Sequence, residues 1–489
     1  MTTATNARYR TTVGLEIHVE LQTSSKMFCG CEVAFGGEPN SRTCPVCLGL
    51  PGSLPVVNER ALEYTISVAL ALNCEIAERT LFARKNYFYP DMPKNYQISQ
   101  YDVPIGYRGH LSISGEFGTQ TIGITRVHLE EDTGKSQHVG GGGRIADSTH
   151  SLEDFNRAGT PLVEIVTEPD LSSAEEARTF VNELRALLES LGVSDVRMEQ
   201  GSLRVDANIS VARAGESEQG TKVEIKNMNS VRSVGRALAY EEQRQRDALE
   251  RGEVLVQETR HFDERTGTTS SLRSKEYAFD YRYFPEPDLV AFEPARDLVE
   301  RLRAALPELP ADRRARFENV LGLAPKEAAA LTTSRATAEW FEAAVMAYPG
   351  DPRKVANWIL GDLFGLVNNA GIELSEVRFA PAEVAALIDL VDGGRISGKQ
   401  AKRVLTEMFA TGESPDAVAA RLGLEQISDT TALESVVEEV IAANGDAAER
   451  VRAGQHNTIG WLVGQVMKKT RGRANPKLVS DLLRAKLVR

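Results

Sequence analysis

A strict two-residue alternation of apolar and polar residues is the feature that most constrains how this chain can fold. In the segment 13–21 every second residue is apolar, and the intervening positions include Glu16, His18 and Glu20. Successive side chains of a strand point to opposite faces, so one face would be apolar and the other would carry these three groups. Carboxylates and an imidazole on one face can share a single cation. A half-buried strand with a solvated polar face explains the same pattern.

The alternation recurs in several later segments, each with carboxylates on one face. It is seen in 163–168, 205–210 and 222–226, and the segment 125–132 runs into an acidic triplet. Several such strands, with lysines among them, could line a concave site for Mg²⁺ and phosphate, since magnesium binds through a few carboxylates and substrate phosphates. A sheet with one solvated face remains the alternative.

Composition divides the chain near Pro294. The part before it is rich in Val, Ile, Thr and aromatic residues, with helical runs at 58–72 and 174–191, and the part after it is dominated by Ala, Leu, Glu and Arg. This change predicts an α+β protein in which a mixed N-terminal half precedes helices. The best division inside the helical half lies near Glu413.

Helix punctuation in the C-terminal half is clear. Ser414 followed by Pro415 is typical of an N-cap and first helical position, and Gly423 closes that segment. Ser428 opens a further predicted helix that ends near residues 444–445.

Charge is unevenly distributed along the chain. The net charge of −12 argues against a general nucleic-acid binder, but residues 452–489 contain nine Lys or Arg against the single acid Asp481. This tail could bind a phosphate backbone, and a solvated helical face is the alternative. There is no run of 18 apolar residues and no apolar signal segment at the N-terminus, so we expect a cytoplasmic protein without a membrane span.

The most specific local motif consists of cysteines. Cys29 and Cys31, then Cys44 and Cys47, form two close pairs, each able to supply half of a tetrahedral site. Four thiolates favour a closed, structural Zn²⁺ site. Disulfides are the competing interpretation, but they are rare in a cytosolic chain. Cys74 is expected to be a small core residue.

Two glycine motifs do not indicate a nucleotide site. Gly134-Lys135-Ser136 ends like a P-loop, but Leu129 stands where the first glycine would be needed. The run 140–143 has four glycines without a strand–loop–helix context, and we interpret it as a hairpin loop. In the segment 84–101, aromatic residues alternate with bases and amides, which suits stacking on an unpaired base or, equally, a loop that buries its own rings.

Seven segments together resemble one known family. They are, in chain order, Val13–Leu21, Arg84–Gln100, Arg126–Ser136, Asn156–Asp170, Gly201–Ser210, Tyr281–Asp288 and Gly464–Leu483. The chain is similar to the B subunit of the bacterial tRNA-dependent amidotransferases, which convert Glu-tRNA(Gln) or Asp-tRNA(Asn) to the amide form. The archaeal relatives carry a large extra domain that does not fit between Asp288 and the helical half.

The resemblance implies a fold and a domain order. The family has a cradle domain around an antiparallel sheet, here 1–295 with the zinc motif at 29–47. An all-α helical domain follows at 296–413, and a small all-α tail domain at 414–489 binds tRNA. The basic residues that would meet the tRNA are Lys468, Lys469, Arg471, Arg473 and Lys477.

The resemblance also implies a chemistry. The cradle would use ATP and Mg²⁺ to phosphorylate the misacylated carboxylate, and ammonia would then displace phosphate from the acyl phosphate. Matching positions give Glu16, Glu131 and Glu164 as Mg²⁺ ligands with His18 beside them, although strict alternation would favour Glu130 over Glu131. Lys85 would contact phosphate or the substrate carboxylate, and the second-tier candidates are Asp206, Lys222 and Lys226.

The chain is expected to need partners. It contains no Gly-Gly-Ser-Ser amidase signature and no cysteine in a nucleophile setting, so a glutaminase/amidase partner (the A subunit of the family) would supply ammonia from glutamine and a small C subunit would brace the heterotrimer. The activity implied is that of a ligase forming a carbon–nitrogen bond. The alternatives are a zinc-stabilised tRNA-binding scaffold without catalysis and a stand-alone ligase that uses free ammonia. Sequence does not decide between Glu-tRNA(Gln), Asp-tRNA(Asn) or both.

Overall fold

The chain divides after Pro310 in a computed structural model that describes residues 8–140, 148–216, 218–274, 281–424, 430–470 and 474–488. The two units are Met1–Pro310 and Ala311–Arg489. Strands and helices mix in the first unit, and helices make up the regular structure described in the second. The predicted α+β class is confirmed.

Long strands dominate the first unit, and the five segments in which alternation was recognised all fall on them. The strands are β1 (Tyr9–Glu20), β2 (Glu75–Ile76), β3 (Ala83–Asn86), β4 (Tyr96–Ser99), β5 (Gly106–Gly115), β6 (Gly118–Glu131), β7 (Lys135–Gly140), β8 (Ser148–Asp154), β9 (Pro161–Thr167), β10 (Leu203–Arg213), β11 (Val223–Met228), β12 (Glu258–Asp263), β13 (Thr268–Ser274) and β14 (Phe284–Pro285).

Nine of these strands form one sheet in the order β13-β12-β11-β10-β1-β9-β6-β5-β2. The pairs are antiparallel except β11 with β12, which are parallel. β1 therefore lies between β10 and β9, and β6 is the next strand beyond β9. Two small sheets accompany it, β14-β3-β4 and the hairpin β7-β8.

Helices cover the apolar face of the large sheet. The first unit has α1 (Glu59–Ala71), α2 (Ala174–Leu191), α3 (Val231–Glu250) and α4 (Arg296–Ala304). The inward residues of β1, such as Leu15 and Ile17, share one core with Phe180 of α2 and Leu238 of α3. Since alternate residues of each strand are used for this core, the polar residues of the same strands are left together on the opposite face.

The described residues of the second unit form two separate hydrophobic cores. The second core uses residues from Phe317 to Ala419, and the third core uses residues from Leu433 to Leu487. Its helices, the first of which starts at the unit boundary, are α5 (Pro310–Asn319), α6 (Pro325–Leu331), α7 (Arg335–Ala347), α8 (Pro352–Asn357), α9 (Phe364–Ala370), α10 (Pro381–Asp392), α11 (Gly398–Thr411), α12 (Pro415–Arg421), α13 (Thr430–Ala443), α14 (Gly445–Arg452), α15 (Thr458–Lys469) and α16 (Pro476–Leu487). A π-helical turn, Trp358–Leu363, joins α8 to α9, and a 3₁₀ turn spans Leu374–Glu376.

The packing of helices α4 and α12 bears on the domain boundaries expected after residues 295 and 413, which remain predictions. α4 packs with the first core through Leu302. α12 contributes Val418 and Ala419 to the second core, whereas the third core begins at Leu433. By packing, therefore, α4 belongs with the cradle and α12 with the middle helices.

Local predictions are confirmed where the structure describes them. α1 and α2 match the helical runs at 58–72 and 174–191, and the Ser414 side chain accepts a hydrogen bond from the Ala417 N–H at the start of α12. Lys135 lies on β7 of a hairpin rather than in a phosphate loop. Residues 141–143 of the glycine run, and Ser428, lie outside the described residues. Among the helices described, none combines the length and apolarity that crossing a bilayer requires.

Candidate functional site

Three side chains from neighbouring strands meet on the polar face of the large sheet. His18 of β1 lies opposite Glu164 of β9 in the register, and Glu164 lies opposite His128 of β6. Ligand atoms of His18, Glu130 and Glu164 all lie within 4.8 Å of one another. His18 Nε2 is 3.5 Å from Glu164 Oε2 and 3.9 Å from Glu130 Oε1. An imidazole and two carboxylates in this arrangement could hold a divalent cation.

The strand period decides which glutamate of β6 joins this cluster. Arg126, His128 and Glu130 share the polar face, whereas Leu129 and Glu131 point to the other side. His128 reinforces the cluster, since its Nε2 is 3.4 Å from Glu164 Oε2 and 3.7 Å from Glu130 Oε2. Glu130 thus occupies the place for which the resemblance implied Glu131.

Glu131 has different partners. It is 2% exposed, its carboxylate forms an ion pair with Lys94, and it accepts a hydrogen bond from the Ile98 N–H at 2.9 Å. It lines a separate cavity of about 120 Å³ that reaches Cys29 and Cys47 of the cysteine motif. The structure therefore does not bring Glu131 within reach of an ion held by Glu164.

Electrostatics in the cluster favour ionised carboxylates. Burial by itself would raise the pKa of Glu164, but the neighbouring His128 and His18 hold that pKa well below its ordinary value. Burial would lower the pKa of His18, yet hydrogen bonding to Glu164 and the charges of Glu164 and Glu130 raise it. A divalent cation bound here would take the place of the histidine protons, because a histidine ligand must be neutral.

Six of the predicted residues surround one cavity of about 260 Å³. They are Glu16, His18, Lys85, Glu164, Asp206 and Lys226. The Glu16 carboxylate accepts a hydrogen bond from Asn208 Nδ2 at 2.9 Å, and Lys226 Nζ donates to Asp206 Oδ2 at 2.7 Å. Lys222 lines a second cavity of about 170 Å³, which shares Glu16 with the first.

Lys85 is the cation best placed to meet an anionic ligand. It lies on β3, and its Nζ is 5.1 Å from the centre of the Tyr281 ring. Burial would lower its pKa, but the negative charge of Glu130 and neighbouring groups raises it, so the ammonium stays charged. Within the described chain no ion pair or hydrogen bond of the Lys85 side chain competes for it.

Several residues of this cavity escaped sequence reasoning. Arg126 and His128 share the period of Glu130, so the alternation of 125–132 could have identified them. Tyr281 and Tyr283 line the cavity from a segment far along the chain, and only the resemblance pointed to that segment. Arg204 pairs with Asp132 beside the cluster at 2.8 Å, and no local pattern signals this contact.

The aromatic segment 84–101 contains strands β3 and β4, which a loop at 87–95 connects. Arg84 makes two bonds to Glu286, Nε–Oε2 at 2.7 Å and Nη2–Oε1 at 2.8 Å, and lies over the Tyr96 ring. These contacts join β3 to the end of β14. They therefore help to position Lys85 on β3 and the cavity tyrosines Tyr281 and Tyr283, which directly precede β14.

The cysteine motif forms the second candidate metal site. The four sulfur atoms of Cys29, Cys31, Cys44 and Cys47 lie within 4.8 Å of one another, and all four are free thiols, so no disulfide forms. The Cys44 N–H donates to Cys47 Sγ at 3.1 Å, and hydrogen bonding with Cys29 lowers the pKa of Cys47 to about 5. This donor set fits a structural metal.

Other predicted residues have simpler surroundings. Cys74 is buried in the first core, as predicted. Lys468, Lys469 and Lys477 are exposed on α15 and α16, and Lys469 pairs with Glu439. Arg471 and Arg473 lie outside the described residues.

Two family models match the chain. Residues 11–300 match the GatB/GatE catalytic domain and residues 339–487 match the GatB domain described as GatB_Yqey.

Curated relatives match the chain over nearly its whole length. The aspartyl/glutamyl-tRNA(Asn/Gln) amidotransferase B subunit of Carboxydothermus hydrogenoformans is 51% identical over 98% of this chain and 99% of the relative. The B subunits of Anaeromyxobacter dehalogenans and Moorella thermoacetica are 50% and 51% identical over 98% of this chain, covering 99% and 100% of those proteins.

Proposed function

The chain belongs to the family of aspartyl/glutamyl-tRNA(Asn/Gln) amidotransferase B subunits, and from this premise we propose that it activates the side-chain carboxylate of a misacylated tRNA with ATP. The observation that carries the proposal is the cluster of His18, Glu130 and Glu164, of which His18 and Glu164 line one cavity together with the half-buried side chain of Lys85. Carboxylates for a divalent cation beside an ammonium for phosphate are the groups that phosphoryl transfer requires.

The reaction has two steps. An oxygen of the Glu or Asp side chain attacks the γ-phosphorus of ATP, the bond to the β,γ-bridging oxygen breaks, and ADP leaves. Ammonia then attacks the acyl carbon, and phosphate leaves with the bonding electrons while ammonia loses a proton. Activation is needed because a carboxylate would otherwise have to expel oxide.

The protein contributes mainly position and charge to the first step. His18, Glu130 and Glu164 would hold Mg²⁺, which neutralises phosphate charge when bound. Lys85 would contact a phosphate or the substrate carboxylate, and Lys226, held by Asp206, lies across the same cavity. Glu16 lines the cavity beside His18 and could complete the shell through water.

The chain would act with partner subunits and would hold a second metal. Ammonia would come from a glutaminase/amidase A subunit, with a small C subunit completing a cytoplasmic heterotrimer, so that glutamine is the amido donor. The cysteine cluster would hold Zn²⁺, and the basic tail would bind the tRNA. Buried Lys26 supports the segment 29–47 that carries the four cysteines, because its ammonium donates to the Arg42 carbonyl at 2.8 Å and to the Phe155 carbonyl at 3.1 Å.

The test compares glutamate variants in the reconstituted complex. Glu130→Gln and Glu164→Gln should each lower tRNA-dependent ATP hydrolysis at least about 100-fold while glutaminase activity persists, because metal sites lose 10–100-fold even when only an outer partner is changed. Glu175→Gln, on the exposed surface of α2, is the matched control and should leave ATP turnover unchanged.

Other outcomes identify the alternatives. Unchanged ATP turnover in Glu130→Gln and Glu164→Gln would favour a tRNA-binding scaffold. Amidation by this purified chain with an ammonium salt alone would favour a stand-alone ligase. Either result would overturn the proposal.

A further inference from the structure

Helix α15 turns an unusual face to solvent. Ile459, Leu462 and Val466 bury one side of the helix in the third core. Trp461 lies on another side with 51% of its surface exposed. Its indole has no ring–ring or cation–π contact with any residue that the structure describes. An exposed large aromatic ring suggests a partner that covers it.

Trp461 forms one wall of an open cavity of about 530 Å³. Its polar lining comes from Asn444, Asp446, Arg450 and Thr458. The combination of one planar ring with surrounding donors and acceptors suits a planar ligand that carries polar groups at its edge.

Two glycines flank the exposed ring on the same helix. A Cβ added at Gly460 or Gly464 would meet no further atom within 4 Å, so packing inside the described chain does not require a glycine at either position. Glycine inside a helix nevertheless destabilises it relative to alanine. At 3.6 residues per turn, Gly464 lies about 60° from Trp461 around the helix and Gly460 about 100°. Gly464 therefore leaves bare backbone next to the ring.

Two cations border this surface. Lys468 follows Trp461 by two helical turns on the same side, and Arg450 lies in the cavity wall. Both side chains are exposed, and neither has an ion-pair partner among the described residues, whereas Lys469 is paired with Glu439.

We propose that Trp461, Gly464, Lys468 and Arg450 (the α15 platform) hold an unpaired nucleotide of the tRNA. The base stacks on Trp461 above the bare backbone at Gly464, and neighbouring phosphates meet Lys468 and Arg450. This inference rests on the proposed function and extends it, because positive charge alone would serve a duplex equally well. A duplex offers no free base face, so the platform selects a loop or an unpaired end.

The experiment measures tRNA affinity of the full complex as a function of salt. Trp461→Leu should weaken binding at least about fivefold with an unchanged salt slope, since stacking contributes independently of counterion release. The tRNA affinity of Trp461→Phe should lie between that of the wild type and that of Trp461→Leu. Lys468→Gln and Arg450→Gln should each reduce the slope of log K against log salt by about 0.7–0.9.

The glycine supplies a test that a merely structural role would fail. Gly464→Ala should raise the thermal midpoint by about 2–4 °C because alanine favours the helix, and it should at the same time weaken tRNA binding. Gly460→Ala, farther round the helix, is the matched control and should raise the midpoint with a smaller loss of affinity.

Two results would overturn the inference. One is an unchanged dissociation constant for tRNA in Trp461→Leu. The other is a Trp461→Leu variant that binds tRNA normally but no longer assembles with its partner proteins, which would make the face a protein interface. Failure of the proposed function is distinguishable, because it is measured by ATP turnover in Glu130→Gln and Glu164→Gln, whereas this inference is measured by tRNA affinity, which a non-catalytic scaffold would keep.

Discussion

Adjacent glutamates of β6 should respond very differently to the same substitution. Glu131 is buried with Lys94, whose side chain is only 7% exposed. Glu131→Gln leaves the ammonium of Lys94 buried without its counter-charge, which costs roughly 3–5 kcal/mol. The Ile98 N–H keeps its acceptor, since a glutamine oxygen can replace the carboxylate oxygen. We therefore expect the loss to come from the charge.

Glu130→Gln should cost much less stability. Glu130 lies close to Glu164, so removing one carboxylate relieves a repulsion while His128 and His18 keep Glu164 as a partner. Lys85 loses the charge of Glu130 but keeps the charge of Glu164 nearby, so its ammonium is not left without a counter-charge. The two substitutions should therefore have different effects: Glu131→Gln lowers the stability of the fold, and Glu130→Gln lowers ATP turnover.

Hydrogen exchange followed by mass spectrometry measures the loss of stability locally, in β6, which carries both glutamates, and in its neighbour β9. Tryptophan fluorescence would not, because Trp340, Trp358 and Trp461 all lie in the second unit; it serves as a control that should not change. The double variant Lys94→Met with Glu131→Gln should recover part of the loss, because it buries no unpaired charge. Equal losses for Glu130→Gln and Glu131→Gln, or strict additivity in the double variant, would refute the reasoning.

Chelating the metal proposed for the cysteine cluster should open four thiols to iodoacetamide at pH 8, while Cys74, whose pKa burial raises to about 12, stays unlabelled until the first core unfolds; peptide mapping that finds Cys74 labelled with the others would contradict its burial. Removing the residues after Leu424 should weaken tRNA binding at least about tenfold and leave zinc content unchanged, because the basic tail lies beyond that point; equal tRNA affinity would show that its charge is only a solvated surface. Arg84→Lys should destabilise β3 by roughly 1–3 kcal/mol, because lysine cannot keep both bonds to Glu286; unchanged hydrogen exchange in β3 would contradict this.

Strand faces and helix ends were predictable because they depend on local periodicity. The face shared by Glu16 and His18 and the cap at Ser414 each follow from residues within a few positions of one another. The spacing of the cysteines likewise predicted a cluster of four sulfur atoms. Alternation also indicated that Glu130, rather than the Glu131 implied by the resemblance, lies on the face of His18 and Glu164.

Only the tertiary structure decided which polar faces meet. That His18 lies opposite Glu164, and Glu164 opposite His128, depends on the pairing of strands that are far apart in the sequence. The same holds for Tyr281, which reaches the cavity because Arg84 and Glu286 join β3 to β14. Alternation specifies the side to which a residue points. The neighbour it finds there depends on the burial of apolar faces across the whole sheet, which no short segment encodes.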